Sequence, residues 1–281
     1  MRLKEDNLLE RLRRERPLIH CMTNYVTAGD VANYLLAAGA SPVMADSARE
    51  AEEVTAAARG LVLNLGTLSD EKLAAMRLAG KKAAVLGHPI VLDPVGAGGA
   101  SFRTEAAKAL IHELPCSVIR GNVSEILALS EESSALYGVD AGKKDELDRK
   151  NLERCAKAAE RLARMSGAVV VMTGKKDLIA DENRYCLVDN GHPMMKRITG
   201  AGCMLDGLTA AFLGVSIEEK KREWVFERAV YAAAAHGLCG EMAWEKTEAA
   251  KGGTGTFHTC LFDAVSIITD HQIQEGARIE I

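Results

Sequence analysis

Short, unbroken apolar runs alternate with amphipathic stretches along most of this chain, and that alternation narrows the possible folds sharply. Strands buried on both faces read as continuous apolar runs, and parallel strands need covering crossover connections. Residues 61–65, 90–95, 117–120 and 168–172 are such runs, with a shorter one at 42–45. Between them the periodicity changes. Val31, Tyr34, Leu35 and Ala38 fall at helical spacing with Gly39 as a stop, and 48–59, 70–79 and 145–165 also predict helices. Residues 177–181 and 185–189 predict a hairpin, and nearly everything after Cys203 reads as helical. The polar stretch 130–150 is expected to be a surface excursion. No repeat or linker divides the sequence, so residues 1–281 are expected to form one α/β domain, its mostly parallel central sheet covered by helices on both faces.

Composition excludes several functions. Aromatic residues make up 4% of the 281 residues and the formal net charge is -4. A nucleic-acid surface needs a basic field and stacking side chains, so no nucleic-acid partner is expected. Arg11, Arg13, Arg14 and Arg16 alternate with Glu10 and Glu15, the pattern of a solvated helix face. The first ten residues, MRLKEDNLLE, carry charge from position 2 and lack the apolar segment of a secretory leader. No run approaches the roughly 18 apolar residues of a membrane span. The seven cysteines are scattered without a CxxC pair, which suggests neither a structural zinc site nor a disulfide framework. Together these features give the expectation of a cytoplasmic protein with no membrane partner.

In open α/β sheets, ligands collect beyond the carboxyl ends of the strands. Here the expected ends carry Asn64-Leu65-Gly66-Thr67, Asp93-Pro94-Val95-Gly96, Arg120-Gly121-Asn122 and Thr173-Gly174-Lys175. The sharpest motif, Thr199-Gly200-Ala201-Gly202-Cys203, precedes an apolar helical stretch at 204–213. Two glycines let the backbone turn tightly and approach a ligand, and a following helix start offers unpaired N–H groups and a positive dipole end. That combination suits an anion, including a phosphoryl group in transfer. A plain glycine-rich turn is the alternative. Gly174-Lys175-Lys176 lacks the spacing of a Walker A loop, and Gly96-Ala97-Gly98-Gly99 lacks that of a dinucleotide fingerprint.

With these segments in view, the chain resembles the hydroxyethylthiazole kinases of the ribokinase-like superfamily. The likeness runs from about Leu18 to Val265. It rests on six segments in the family's order: Thr23–Thr27, Ser41–Ala45, Leu63–Thr67, Leu92–Gly96, Arg120–Glu125 and Thr199–Cys203. The resemblance implies a three-layer ribokinase-like fold and a homotrimer with active sites at subunit interfaces. It implies transfer of the ATP γ-phosphoryl group to the primary hydroxyl of 4-methyl-5-(2-hydroxyethyl)thiazole, with Mg²⁺, in thiamine salvage.

The resemblance also assigns residues. Gly200, Ala201, Gly202 and Cys203 form the catalytic anion loop, with Cys203 where most ribokinase-like enzymes place an Asp base. A helix N-terminus is expected to lower the pKa of that thiol. Asp93 and Glu125 are assigned to Mg²⁺, although Asn122-Val123-Ser124-Glu125 also reads as a helix cap. Arg120 and Thr173 are set against the ATP phosphates. Asn24, Val26, Met44, Gly66 and Gly200 are expected to bind the thiazole. His20 and His258 are expected to be structural. Thr254 replaces a family proline in Gly253-Thr254-Gly255, which implies a less rigid turn.

Three other readings compete. A nucleotide-dependent NAD(P)H-hydrate dehydratase, or a kinase for hydroxymethylpyrimidine or pyridoxal, normally carries Asp at the Cys203 position. A non-catalytic thiazole sensor would keep the fold, yet Asp93, Glu125, Gly200 and Gly202 are all present.

Overall fold

A computed structural model describes residues 3–4, 6–130, 151–216 and 224–281. The excursion expected at 130–150, and the start of the helix expected from 145, fall almost wholly outside the described residues.

Among the described residues, nine strands form one sheet: β1 (Leu18–Met22), β2 (Ser41–Val43), β3 (Gly60–Asn64), β4 (Ile90–Asp93), β5 (Val118–Asn122), β6 (Val169–Thr173), β7 (Asp177–Ala180), β8 (Tyr185–Val188) and β9 (Ile279–Glu280). Their order is β2-β1-β3-β4-β5-β6-β7-β8-β9. All pairings from β2 to β6 are parallel; those from β6 to β9 are antiparallel. The expected hairpin is β7–β8. Strand β1 was not among the expected strands, and β9 is a two-residue exception to an end that is otherwise nearly all helical, as expected.

Side-chain alternation assigns the layers. Ile19, Val62, Val91, Val118, Val171 and Ile179 enter one core, while Leu61, Leu63, Leu92, Ile119, Val170 and Leu178 enter the other. Successive strand residues point to opposite faces, so a sheet of continuous apolar runs needs two cores. The first core holds α1 (Leu8–Glu15), α2 (Ala28–Ala38), α8 (Ala201–Gly214), α9 (Trp224–Ala249), α10 (Thr254–Ile267) and α11 (Asp270–Gly276). The second holds α3 (Ala51–Ala57), α4 (Asp70–Leu86), α5 (Ser101–Glu113), α6 (Val123–Ser130) and α7 (Leu152–Ser166). The result is the expected three-layer α/β arrangement.

Two helix ends depart from expectation. Helix α4 continues past Ala79 because Gly80 is a packing glycine: a Cβ there would lie 2.8 Å from Leu114 Cδ2. The helix stops at Gly87, whose φ of 67° supplies the left-handed cap. At the other departure, α10 begins at Thr254 with Gly253 as its N-cap. The first helical position favours proline because φ is preset there; Thr254 fills it without that restraint. No described helix is long and apolar enough to cross a membrane.

Strand β2 lies outside β1, whereas β3 to β6 extend from its other side. The direction of progression therefore reverses beside β1 and β3, which opens a crevice beyond their carboxyl ends. Asn24 follows β1 and Asn64 ends β3, so both stand at this crevice.

Candidate active site

The crevice is closed by the glycine motif. Gly200 is the N-cap of α8 with φ of 84°, and Met204 N bonds to Gly200 O at 2.8 Å. A side chain at Gly200 would be strained and would meet Thr27 Cγ2 at 2.9 Å. The helix therefore starts inside the motif, three residues earlier than the apolar pattern suggests. Ala201, Gly202 and Cys203 occupy its first turn, where backbone N–H groups lack partners four residues back.

Beneath this turn, Asn64 connects three elements. Its Nδ2 donates to Asp93 Oδ2 at 2.6 Å and approaches Cys203 Sγ at 3.4 Å. Its Oδ1 accepts from Asn24 Nδ2 at 3.1 Å and from Gly66 N at 3.0 Å. Asn24 Nδ2 also reaches Cys203 Sγ at 3.4 Å, so two amide donors point at the sulfur. Asn24 Oδ1 accepts from Val26 N, Thr27 N and Thr27 Oγ1, each at 3.1 Å. Asn24 thus spends its polar atoms on organising the loop and the thiol.

Arg120 enters from β5. Its Nη1 donates to Asp93 Oδ2 at 2.9 Å, and its Nε lies 3.6 Å from Asp206 Oδ1. Burial opposes its charge, but Asp206 and Asp93 outweigh that and raise its pKa, so it stays a cation. Gly202 makes room for it: a Cβ there would lie 2.6 Å from Arg120 Cζ.

Glu125 performs the cap that its spacing suggested. Asn122 N donates to Glu125 Oε2 at 2.8 Å, and Glu125 N donates to Asn122 Oδ1 at 2.9 Å. Its Oε1 accepts from Gly96 N at 2.8 Å. Burial and the neighbouring Asp93 raise its pKa, against these bonds and Arg120.

The expected fall in the Cys203 pKa is corrected by the structure. Burial, Asp206 and Asp93 push the thiol up to about 11, against Thr27 and Arg120. Two nearby carboxylates and desolvation outweigh the helix end, so the thiol is protonated at neutral pH.

Asn24, Gly66, Asp93, Arg120, Gly202 and Cys203 therefore converge, with Glu125 beside them. Thr173 ends β6, where its Oγ1 donates to Gly121 O at 3.3 Å. Val26 is 59% exposed and Met44 36%, so their apolar surface faces outward from this chain. His20 is buried against Thr55 and Ala45 O, the structural role expected of it. His258 pairs with Asp30 at 3.1 Å.

Two site residues escaped the sequence reading. Asn64 was visible only as part of its segment, although an Asn between Leu63 and Leu65 at the end of an apolar run was a signal. Asp206 lies three residues after Cys203, a spacing that puts both on one helix face. It is 1% exposed, and burial raises its pKa well above the ordinary carboxylate range.

The model of the hydroxyethylthiazole kinase family matches residues 9–271. A hydroxyethylthiazole kinase of Clostridium botulinum strain Eklund 17B is 42% identical over 272 residues, covering 97% of this chain and 94% of that protein. The solved structure of a Pyrococcus horikoshii hydroxyethylthiazole kinase aligns with TM-score 0.81 at 35% identity, covering 98% of this chain and 97% of that one. An ADP/ATP-dependent NAD(P)H-hydrate dehydratase of Bacillus subtilis aligns at TM-score 0.53 and 13% identity, a likeness of fold alone.

Proposed function

Because the chain belongs to the hydroxyethylthiazole kinase family, we propose that its crevice transfers the ATP γ-phosphoryl group to the primary hydroxyl of 4-methyl-5-(2-hydroxyethyl)thiazole. The observation that carries this reading is the convergence of Arg120, Cys203 and the first turn of α8 at one point. A transferring phosphoryl group spreads charge over its oxygens, and fixed cations and N–H groups stabilise it.

In this reading, the backbone N–H groups of Ala201, Gly202 and Cys203 face the γ-phosphoryl group, and Arg120 holds its charge. Thr173 stands beside the phosphates from the end of β6. The acceptor hydroxyl sits against Cys203 Sγ, which Asn24 and Asn64 fix in place. A phosphoryl transition state is largely dissociative, so the hydroxyl proton leaves late. A neutral thiol then suffices as a hydrogen-bond partner that positions the hydroxyl. This assigns positioning to Cys203 ahead of strong basicity.

Mg²⁺ fits the donors present. Asp93 Oδ1 is buried and has no hydrogen-bond partner among the described residues, which leaves it free for a cation or its water. Magnesium keeps several waters and needs one or two carboxylates beside phosphate oxygens. Asp93 would hold it directly, and Glu125 through water because its oxygens already accept backbone N–H groups. Bound there, the ion would neutralise phosphate charge.

The apolar surfaces of Val26 and Met44 support a thiazole pocket completed by a neighbouring subunit, hence a homotrimer of a cytoplasmic enzyme in thiamine salvage. Gly66 and Gly200 border that pocket, where a Cβ would displace Asn24 and Thr27 respectively. The test is stoichiometry: purified protein with Mg-ATP and hydroxyethylthiazole should release equimolar ADP and thiazole phosphate, while sedimentation reads a trimer. ADP release without a phosphorylated acceptor would overturn the transfer reading, and an active monomer the shared pocket.

A further inference from the structure

The crevice contains a set of donors in which Asp206, which phosphoryl transfer does not use, stands beside Asp93 and Cys203, which it does. Asp93, Cys203 and Asp206 each present one ligand atom, and these atoms lie within 4.8 Å of one another. Both aspartates are 1% exposed. Asp93 Oδ1 and both oxygens of Asp206 are buried without a hydrogen-bond partner among the described residues. A buried polar oxygen without a partner is costly, so three of them beside a thiol leave a place for a cation. Arg120 spends its Nη1 on Asp93 Oδ2, and its Nε remains 3.6 Å from Asp206 Oδ1.

From this arrangement we propose that Asp93, Cys203 and Asp206 form a binding site for a thiophilic divalent cation, Zn²⁺ above all, whose occupancy blocks the transferase. Sulfur with two carboxylate oxygens suits zinc and is foreign to magnesium, which takes oxygen ligands alone. Zinc binds thiolate at about 2.3 Å and carboxylate oxygen at about 2.0–2.2 Å. The three side chains need only contract around the ion, and water takes the fourth position. As the zinc bonds form, the protons on Cys203 and Asp206 both pass to solvent. Two carboxylates and a thiolate then balance Zn²⁺ and Arg120, which leaves the buried set neutral. Asn64 already touches both Asp93 and Cys203, the outer-shell support that orients metal ligands. Zinc there removes Cys203 from the acceptor hydroxyl and Asp93 from magnesium.

The probe is Co²⁺ added to the full chain without nucleotide. The site predicts a thiolate-to-cobalt charge-transfer band that saturates at one equivalent, is bleached by Zn²⁺, and is unaffected by Mg²⁺ at equal concentration. The band should vanish in Cys203→Ser. Asp206→Ser should weaken cobalt binding at least about tenfold, the lower bound for losing even an outer-shell partner. Asp206→Asn serves if the serine variant fails to fold. No band, a band that survives Cys203→Ser, or equal affinity in the folded Asp206 variant overturns the site. Because the readout needs no turnover, its failure is distinct from failure of the kinase reading.

Discussion

Substituting Gly202 with alanine tests how tightly the site depends on the placement of Arg120. The new methyl carbon would lie 2.6 Å from Arg120 Cζ and 2.9 Å from Nη1, well inside the contact distance of about 3.5–4.0 Å. The clashing atoms are the far end of a long side chain, so the guanidinium moves and the backbone stays. That movement breaks the 2.9 Å bond from Nη1 to Asp93 Oδ2. A hydrogen bond between charged groups contributes about 1.5–3 kcal/mol. At about 1.4 kcal/mol per tenfold in rate, kcat/KM should fall about 10- to 100-fold. Stability should fall by only about 0.5–2 kcal/mol, because alanine is favoured over glycine in a helix by about 1 kcal/mol and offsets part of the lost bond. Steady-state kinetics with ATP and thiazole varied separately, beside a thermal melt, read both quantities. A kcat/KM within about twofold of wild type would refute the reasoning. So would an activity loss matched by unfolding.

Two further outcomes follow from the same geometry. The Cys203 thiol is pushed up to about 11, so its thiolate fraction grows about tenfold per pH unit from 7 to 10; positioning by the neutral thiol predicts a kcat/KM slope well short of that, whereas proton removal by this residue predicts Cys203→Ala slower and Cys203→Asp equal to or faster than wild type. Equal rates for all three would remove any base role. Glu125→Ala should cost about 1 kcal/mol of stability by uncapping α6, whereas Glu125→Gln should melt near wild type yet need more Mg²⁺, read by magnesium titration; an unchanged requirement would leave Glu125 a cap alone.

The sheet was legible where apolar runs are continuous. Residues 61–65, 90–95, 117–120 and 168–172 became β3 to β6 with shifts of a residue or two. β1 was less visible because His20 interrupts its apolar run; that polar group is satisfied by Thr55 and Ala45 O, which no local pattern encodes. β9 has two residues, and only antiparallel pairing with β8 makes it a strand. Gly80 imitates a helix stop because sequence cannot distinguish a packing glycine from a left-handed one. The site followed the same division. Motif residues at strand ends could be read locally, but the raised Cys203 pKa depends on Asp93 from another strand and on Asp206 one turn along the helix. Asp206 itself was hidden in an apolar stretch, where it looks like an interruption of the core pattern.

This site is expected to phosphorylate the thiazole alcohol in preference to related vitamin precursors. That preference is tested most directly by mass analysis of products after incubation with Mg-ATP and an equimolar mixture of hydroxyethylthiazole, hydroxymethylpyrimidine and pyridoxal. The account predicts a phosphate increment on the thiazole alone. Phosphate on either of the other two in its place, or on none while the thiazole still binds, would contradict it.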